Sequence, residues 1–279
     1  MPRSTRTRRR WASLALTTGM APLALLWLAP LYLMAVFATL PDNAIFSPQL
    51  PLVPGDNLLA NLTFLDDTAR FGRAMLNSIG IATISAILSL VLTSMAGYAF
   101  ARFQFVGKQA AFSILVATLT VPYAVVIVPQ YVLVARDLGL SNTWVAVIVP
   151  PLFNSIGVLF MRQTFLSLPQ ELLDAARIDG AREGRIFLAI ALPLVRPSLA
   201  ALAIILFLAS WNNYLWPLLV ATEAEARTAP VALGSLIGLN VVPWGALMTG
   251  ATLLTLPMIV VFIFLQRYFV AGITAGAVK

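Results

Sequence analysis

Six unbroken apolar stretches constrain this chain before any motif does. They fall at roughly 19–40, 73–100, 109–130, 143–161, 197–220 and 244–266 of its 279 residues. A bilayer's hydrocarbon core is about 30 Å thick, which an α-helix crosses in about 20 residues. Lipid offers backbone amides no partners, so a segment inside it must bond to itself, and a helix does. A membrane β-barrel would instead show segments of about 10 residues with alternating polarity. Composition agrees, with 60% hydrophobic and 10% charged residues, where soluble domains carry about 25% charged. The fold class expected is all-α: a polytopic membrane protein with six transmembrane helices.

Lys and Arg in the flanks set the orientation. Arg3, Arg6, Arg8, Arg9, Arg10, Arg102, Lys108, Arg162, Arg177, Arg182, Arg185, Arg196, Arg267 and Lys279 fall on one side, and only Arg70, Arg73, Arg136 and Arg227 on the other, 14 against 4. Both termini are therefore expected in the cytoplasm. The organisation is a basic tail at 1–18, a transmembrane domain over 19–266, an outer loop at 41–72, a cytoplasmic loop at 164–196 and a tail at 267–279. The start "MPRSTRTRRRWASLAL" is read as an uncleaved first span, because the apolar run behind it outlasts a signal core. Pro48, Pro51 and Pro54 mark the outer loop as a structured cap.

The chain has no cysteine and no histidine, which removes disulfides, thiolate chemistry and the commonest general base and metal ligand. No GxxxxGK followed by Ser or Thr occurs, so no phosphate-cradling loop is expected. No span carries Asp, Glu, Lys or Arg near its centre, which argues against an enzyme or an ion-coupled secondary transporter. Charge concentrates instead in "ELLDAARIDGAREGRIFLAIALPLVRPSLAAL", with four acids and four arginines between Glu171 and Arg196. Leu172, Leu173, Ala176 and Ile178 give an apolar side, and Glu171, Asp174 and Arg177 a polar one. Asp174 and Arg177 are spaced as a helix-surface pair. Gly180 interrupts, a second helical pattern follows through Ile190, and Pro193 and Pro197 turn the chain back. Two short helices with a glycine joint are expected at the cytoplasmic face. A lipid-seeking helix would be mostly basic on its polar side, so this neutral balance suits a protein partner.

These residues carry a resemblance. "ELLDAARIDGA…IALPLVRP" resembles the EAA signature of the permease subunits of binding-protein-dependent ABC importers, in the carbohydrate-uptake branch of the maltose-transporter type. Asp174-Ala175-Ala176 stands where that family has Glu-Ala-Ala, keeping the charge one methylene shorter. Gly180 matches the signature's glycine, and Leu192-Pro193 its closing pair. "NSIGIATISAILSLVLTSMAGYAFARFQFVGK", "SWNNYLWPLLVAT" and "LQRYFVAGITAGAVK" resemble further stretches of the branch in the same order. The resemblance implies that Glu171–Gly180 is a coupling helix docking on a cytoplasmic ATPase dimer, with Glu171, Asp174, Ala175, Ala176, Arg177 and Gly180 at the contact. It also implies a second homologous permease, an extracytoplasmic substrate-binding protein and a place in the bacterial or archaeal inner membrane. This chain itself is expected to bind no cofactor or nucleic acid, and ATP and Mg belong to the ATPase.

Polar groups within spans face a bundle interior or a cavity. Asn212, Asn213, Tyr214 and Trp216 in "SWNNYLWP" are the first pathway candidates, since amides both donate and accept and so suit hydroxyls. Asn154, Tyr123 and Gln130, each beside prolines, are further ones. Pro122, Pro150, Pro217 and Pro257 free backbone carbonyls and bend helices. The expected function is the membrane channel of an ATP-driven importer for a sugar or sugar-like solute, working by alternating access, with glycerol-phosphate or a polyol as the alternative. Topology is directly testable. Asp56→Cys and Glu223→Cys should react with a membrane-impermeant thiol reagent in intact cells and Arg182→Cys should not; labelling at 182 from outside overturns the orientation.

Overall fold

The computed structural model describes the backbone of residues 3–277 and the side chains of residues 18–264. The arginines counted at 3–10, and Arg267 and Lys279, lie outside the described side chains. Among the described residues there is no strand. In chain order the helices are α1 (Arg3–Phe37), α2 (Asp42–Ile45), α3 (Leu58–Ala69), α4 (Phe71–Arg102), α5 (Lys108–Thr118), α6 (Tyr123–Tyr131) and α7 (Trp144–Ile148). They continue as α8 (Ser155–Leu166), α9 (Gln170–Ile178), α10 (Glu183–Ile186), α11 (Leu192–Leu194), α12 (Arg196–Trp211), α13 (Leu215–Val220), α14 (Ala229–Ser235) and α15 (Trp244–Ala277). Three described helices are long and apolar enough to cross a membrane, Thr18–Phe37, Phe71–Arg102 and Trp244–Phe264, and the number rises to six if each sharply bent pair counts as one span.

The chain forms two compact units, 1–69 with 235–255, and 70–234 with 256–279. In the first, Val36, Leu40 and Ile45 are buried together. Asn61 of α3 donates to the carbonyls of Ala38 and Leu40, both at 2.9 Å. These two groups, just past the end of α1, are thereby satisfied by a side chain from the loop. The Asp42 carboxylate accepts from the Gly245 N–H at 2.7 Å, placing a negative charge at the amino end of α15, where the helix dipole favours it.

The second unit is built on α4. Its buried face is mostly small, through Ala74, Ser78, Ala82, Ser85, Ala86, Ser89, Thr93, Ser94 and Gly97, with Phe71, Asn77, Ile81 and Tyr98 as its larger members. Small residues let helix backbones approach closely where lipid supplies no hydrophobic drive. At Gly97 the approach is tightest: a Cβ there would lie 2.6 Å from that of Met161 and 2.9 Å from the Arg162 nitrogen on α8. Beside this seam Tyr98, Met161, Phe165, Ala191, Val195, Leu202 and Leu206 form a buried core.

Three expected spans are not straight helices. The segment expected at 109–130 stops at Thr118, and the helix resuming at Tyr123 is turned by 98°. Pro122 has no N–H for the Thr118 carbonyl, and its ring clashes with that group in a continuing helix. The segment at 143–161 bends by 47° between Leu152 and Ser155, after Pro150 and Pro151. The segment at 197–220 breaks at residues 212–214, between α12 and α13. Pro217 stands four residues after Asn213 and forbids the continuous helix in the same way. A further turn of 83°, between Leu194 and Arg196, falls where Pro193 and Pro197 set it.

Gly97→Val should therefore force α4 and α8 apart, at a cost of about 1–3 kcal/mol. Its detergent-solubilised form should unfold at a lower temperature than wild type, with Gly97→Ala in between. An unchanged Tm for the valine variant would show that the seam yields freely.

Candidate functional site

The three breaks converge on one cavity of about 590 Å³ within the second unit. The first break contributes Thr118, Leu119 and Val121, the second Pro150, Pro151, Phe153 and Asn154, and the third Asn213. Tyr123, Val126 and Gln130 complete the lining from α6, spaced so that they share one helix face. Non-helical backbone at membrane depth is tolerated only where it is buried in protein or borders a water-filled space. The freed carbonyls show how the breaks are held. Pro150 cannot donate to the Ala146 carbonyl, and the Trp216 indole Nε1–H donates to it instead, at 2.8 Å. Ser89 of α4 donates its hydroxyl to the Leu152 carbonyl at 2.8 Å.

Five of the seven pathway candidates line this cavity: Tyr123, Gln130, Asn154, Asn213 and Trp216. They are not equally available. Trp216 is 1% exposed and its only donor is engaged, so its ring forms a wall. Asn154 caps α8, accepting from the Gly157 N–H at 2.8 Å through Oδ1, so of its amide only the N–H₂ is left uncommitted by that cap. A space of about 70 Å³ adjoins, sharing Pro151, Asn154 and Asn213 and adding Ser85, Ser89 and Ser210. Asn212 and Tyr214 are not in the lining. Asn212 ends α12, its N–H bonding to the Leu208 carbonyl at 3.0 Å. The Tyr214 ring lies against Gly234, within 2.8 Å of where a Cβ would stand.

The charged segment forms two short helices, α9 and α10. The end of α9 explains Gly180. Its N–H bonds to the Arg177 carbonyl and that of Ala181 to the Ala176 carbonyl, both at 3.0 Å. This cap needs a left-handed residue, and Gly180 has φ +78°. Leu173, Ala176 and Ile186 are buried together, with Ala181 and Ile190 packed on them. Ile178, expected on the apolar side, is instead 86% exposed, and Leu172 is 47% exposed. Ile178 follows Ala176 by two residues, about 200° around the helix, so the inward face cannot hold both. Of the two alanines, Ala176 faces inward and Ala175 outward, with Glu171, Asp174 and Gly180 also exposed.

Arg177 organises the charges. Its Nη1 donates to Asp174 Oδ1 at 2.6 Å and its Nε to Glu183 Oε1 at 2.7 Å. Hydrogen bonding to Glu183, then to Asp174, holds the guanidinium above its usual range. Sequence reasoning counted Arg102 only as a topological charge. In the structure it ends α4 and donates to Gln170 Oε1 and to the carbonyls of Phe165 and Leu168. Ser89 was missed too, although its place in the small-residue stripe of α4 was there to read.

Residues 89–275 match the family model described as "Binding-protein-dependent transport system inner membrane component". The chain is 38% identical over 271 residues to an arabinooligosaccharides transport system permease protein of Halalkalibacterium halodurans, covering 95% of each. It is 34% identical over 257 residues to an sn-glycerol-3-phosphate transport system permease protein of Yersinia pestis, covering 89% of this chain and 91% of that one. It is 36% identical over 203 residues to a lactose transport system permease protein of Rhizobium radiobacter, covering 73% and 74%. Among solved structures, a bacterial ABC transporter involved in the import of alginate superposes with a TM-score of 0.77 at 23% identity, covering 96% of this chain and 99% of that one. That likeness is one of fold.

The cavity wall can be tested without a substrate. Trp216→Phe keeps an aromatic ring, though a smaller one, but leaves the Ala146 carbonyl buried without the indole donor, a loss of about 1–3 kcal/mol. The variant should unfold at lower temperature in detergent. Unchanged stability would mean the break does not depend on that bond.

Proposed function

This chain belongs to the family of binding-protein-dependent transport system inner membrane components, and we propose that it forms half of the channel of an ATP-driven importer for a sugar or sugar-like solute. The observation that carries the reading is the cavity built at three proline breaks. Its described lining holds two amides of asparagine, one of glutamine, a phenol and two hydroxyls among apolar groups, with no Asp, Glu, Lys or Arg. Asn154 Oδ1 is taken by its cap and the Thr118 and Ser155 hydroxyls bond to each other, which leaves Asn213 and Gln130 as the amides that can donate and accept. Amides that donate and accept at once suit a polyhydroxylated, uncharged solute. The transport of arabinooligosaccharides and lactose named for two relatives supports the sugar class. The glycerol-phosphate named for another is the alternative, which the neutral lining disfavours.

In this reading the six spans place both termini and the 164–196 loop in the cytoplasm. A cytoplasmic ATPase dimer docks on α9 and α10, a second homologous permease completes the channel, and an extracytoplasmic binding protein delivers the solute. Mg and ATP bind in the ATPase, and this chain hydrolyses nothing. Glu171, Asp174, Ala175 and Gly180 face the ATPase, with the exposed Leu172 and Ile178 as apolar anchors beside them. Ala176 packs α9 onto α10, and Arg177 holds the segment together. Alternating access then opens the cavity to one side at a time.

The test is reconstitution with the partner subunits. The purified chain alone should show no ATP hydrolysis, and the full complex should hydrolyse faster when loaded binding protein is added. Asn213→Leu removes a cavity hydrogen-bonding group worth about 0.5–1.5 kcal/mol net. It should lower uptake severalfold while assembly persists, and Asn212→Leu should lower it less. Hydrolysis by this chain alone, or equal and normal uptake in both variants, contradicts the reading.

A further inference from the structure

The bonds made by Arg102 continue beyond their first partners. Gln170, which accepts from Arg102, donates through Nε2 to Asp174 Oδ1 at 3.1 Å. The same oxygen accepts from Arg177, whose fork also holds Glu183 at the start of α10, at 2.7 and 3.4 Å. An unbroken run of polar contacts therefore leads from the last residue of α4, through α9, to α10. Next to it Tyr98, one turn before Arg102 and 3% exposed, sets its ring 5.2 Å from that of Phe165 and 5.0 Å from that of Phe187. This aromatic packing joins α4 to α8 and to the residues following α10. A guanidinium is suited to such a node because its planar donors point in fixed directions and lose little freedom per bond formed.

The other bonds of α4 give the node its meaning. Over about 48 Å of helix, α4 makes two further sets of side-chain bonds. Ser89 holds the Leu152 carbonyl at the cavity break. Near the opposite end Asn77 donates to the carbonyls of Glu225 and Arg227 at 2.8 and 3.0 Å, and Ser78 Oγ accepts from the Ala229 N–H at 2.7 Å. One helix thus holds the charged segment, the cavity wall and the 225–229 loop.

We propose that Arg102 is a positioning residue that ties α4 to the 170–186 segment, so that the two move as one body and displacement of α9 reaches the cavity through Ser89. The proposal rests on reading that segment as the coupling element. Its alternative is a segment hinged freely at Ser167–Pro169, with α4 static.

The experiment uses the full chain in lipid nanodiscs and, separately, the reconstituted complex. Backbone hydrogen exchange across 170–186 should accelerate about tenfold in Arg102→Met, and similarly in Gln170→Leu, which cuts the same run at an exposed position and leaves every residue of α4 in place. Arg102→Lys, with one point of attachment, should restore part of the protection. Exchange in 77–98 and 197–211 should not change. In the complex, solute taken up per ATP hydrolysed should fall severalfold in Arg102→Met and Gln170→Leu. Unchanged exchange at 170–186, exchange raised throughout the helices, or normal uptake per ATP overturns the proposal. If the wild-type complex shows no solute-stimulated hydrolysis, the transport reading has failed, and the exchange data still decide whether Arg102 restrains the segment.

Discussion

An amide inside a bilayer has no water to turn to, and the cavity of this protein exists because prolines withdraw amides at chosen places. Each break pairs a proline with a carbonyl four residues earlier: Pro122 with Thr118, Pro150 with Ala146, Pro217 with Asn213. A carbonyl stripped of its helical partner must find another or face a polar space. At Ala146 the substitute is the Trp216 indole, which also staples the second break to the third. The Leu152 carbonyl, at the end of the same bend though not opposite a proline, accepts from the Ser89 hydroxyl. The residues of the breaks that remain, Asn154 and Asn213 among them, border the cavity. The irregular backbone and the polar space are two consequences of one constraint.

The same constraint explains the composition of α4. A helix that must hold several neighbours in place, without a hydrophobic drive toward any, profits from close backbone contact and from short hydroxyls. Serine and threonine supply both. Ser78 and Ser89 each reach a backbone group across the interface, whereas Thr93 bonds back within its own helix at 2.7 Å. Gly97 goes further and gives up its side chain so that the backbone of α8 can approach. Dispersion between well-fitted surfaces then does what the hydrophobic effect does in water.

How far the sequence reveals this depends on the kind of interaction. Helix existence was legible because length and hydropathy are summed properties, and they survive local error. The bends were legible as prolines, but not their size, since 98° at Pro122 reflects the fit of the whole second unit. Trp216 and Tyr214 stand alike in the sequence as pathway candidates. The structure buries one and lays the other on Gly234, because whether a ring faces a space is decided by neighbours distant in sequence. Asn212 and Asn213 are adjacent in the chain, yet only Asn213 lines the cavity. Ile178 was assigned to the wrong face because α9 is too short for periodicity to fix its phase. Arg102 was the largest omission: three neutral acceptors, more than 60 residues away, leave no charge pattern to detect.

The departure from the EAA signature at Asp174 fits the contacts around it. Its Oδ1 receives both Gln170, four residues before, and Arg177, three residues after. Both partners have long side chains, and on a helix they converge from either side onto the turn above 174. A short acid keeps its oxygen close to the helix surface, within reach of both at once, whereas a side chain one methylene longer places its charge farther out. These bonds use Oδ1 alone, and the residue stays exposed, which leaves Oδ2 outside the run. A single carboxylate can thus close the run from α4 to α10 through one oxygen and present the other to a basic group of the proposed ATPase. Internal bracing and the proposed docking would then meet on one residue, joined through Arg177 and Gln170.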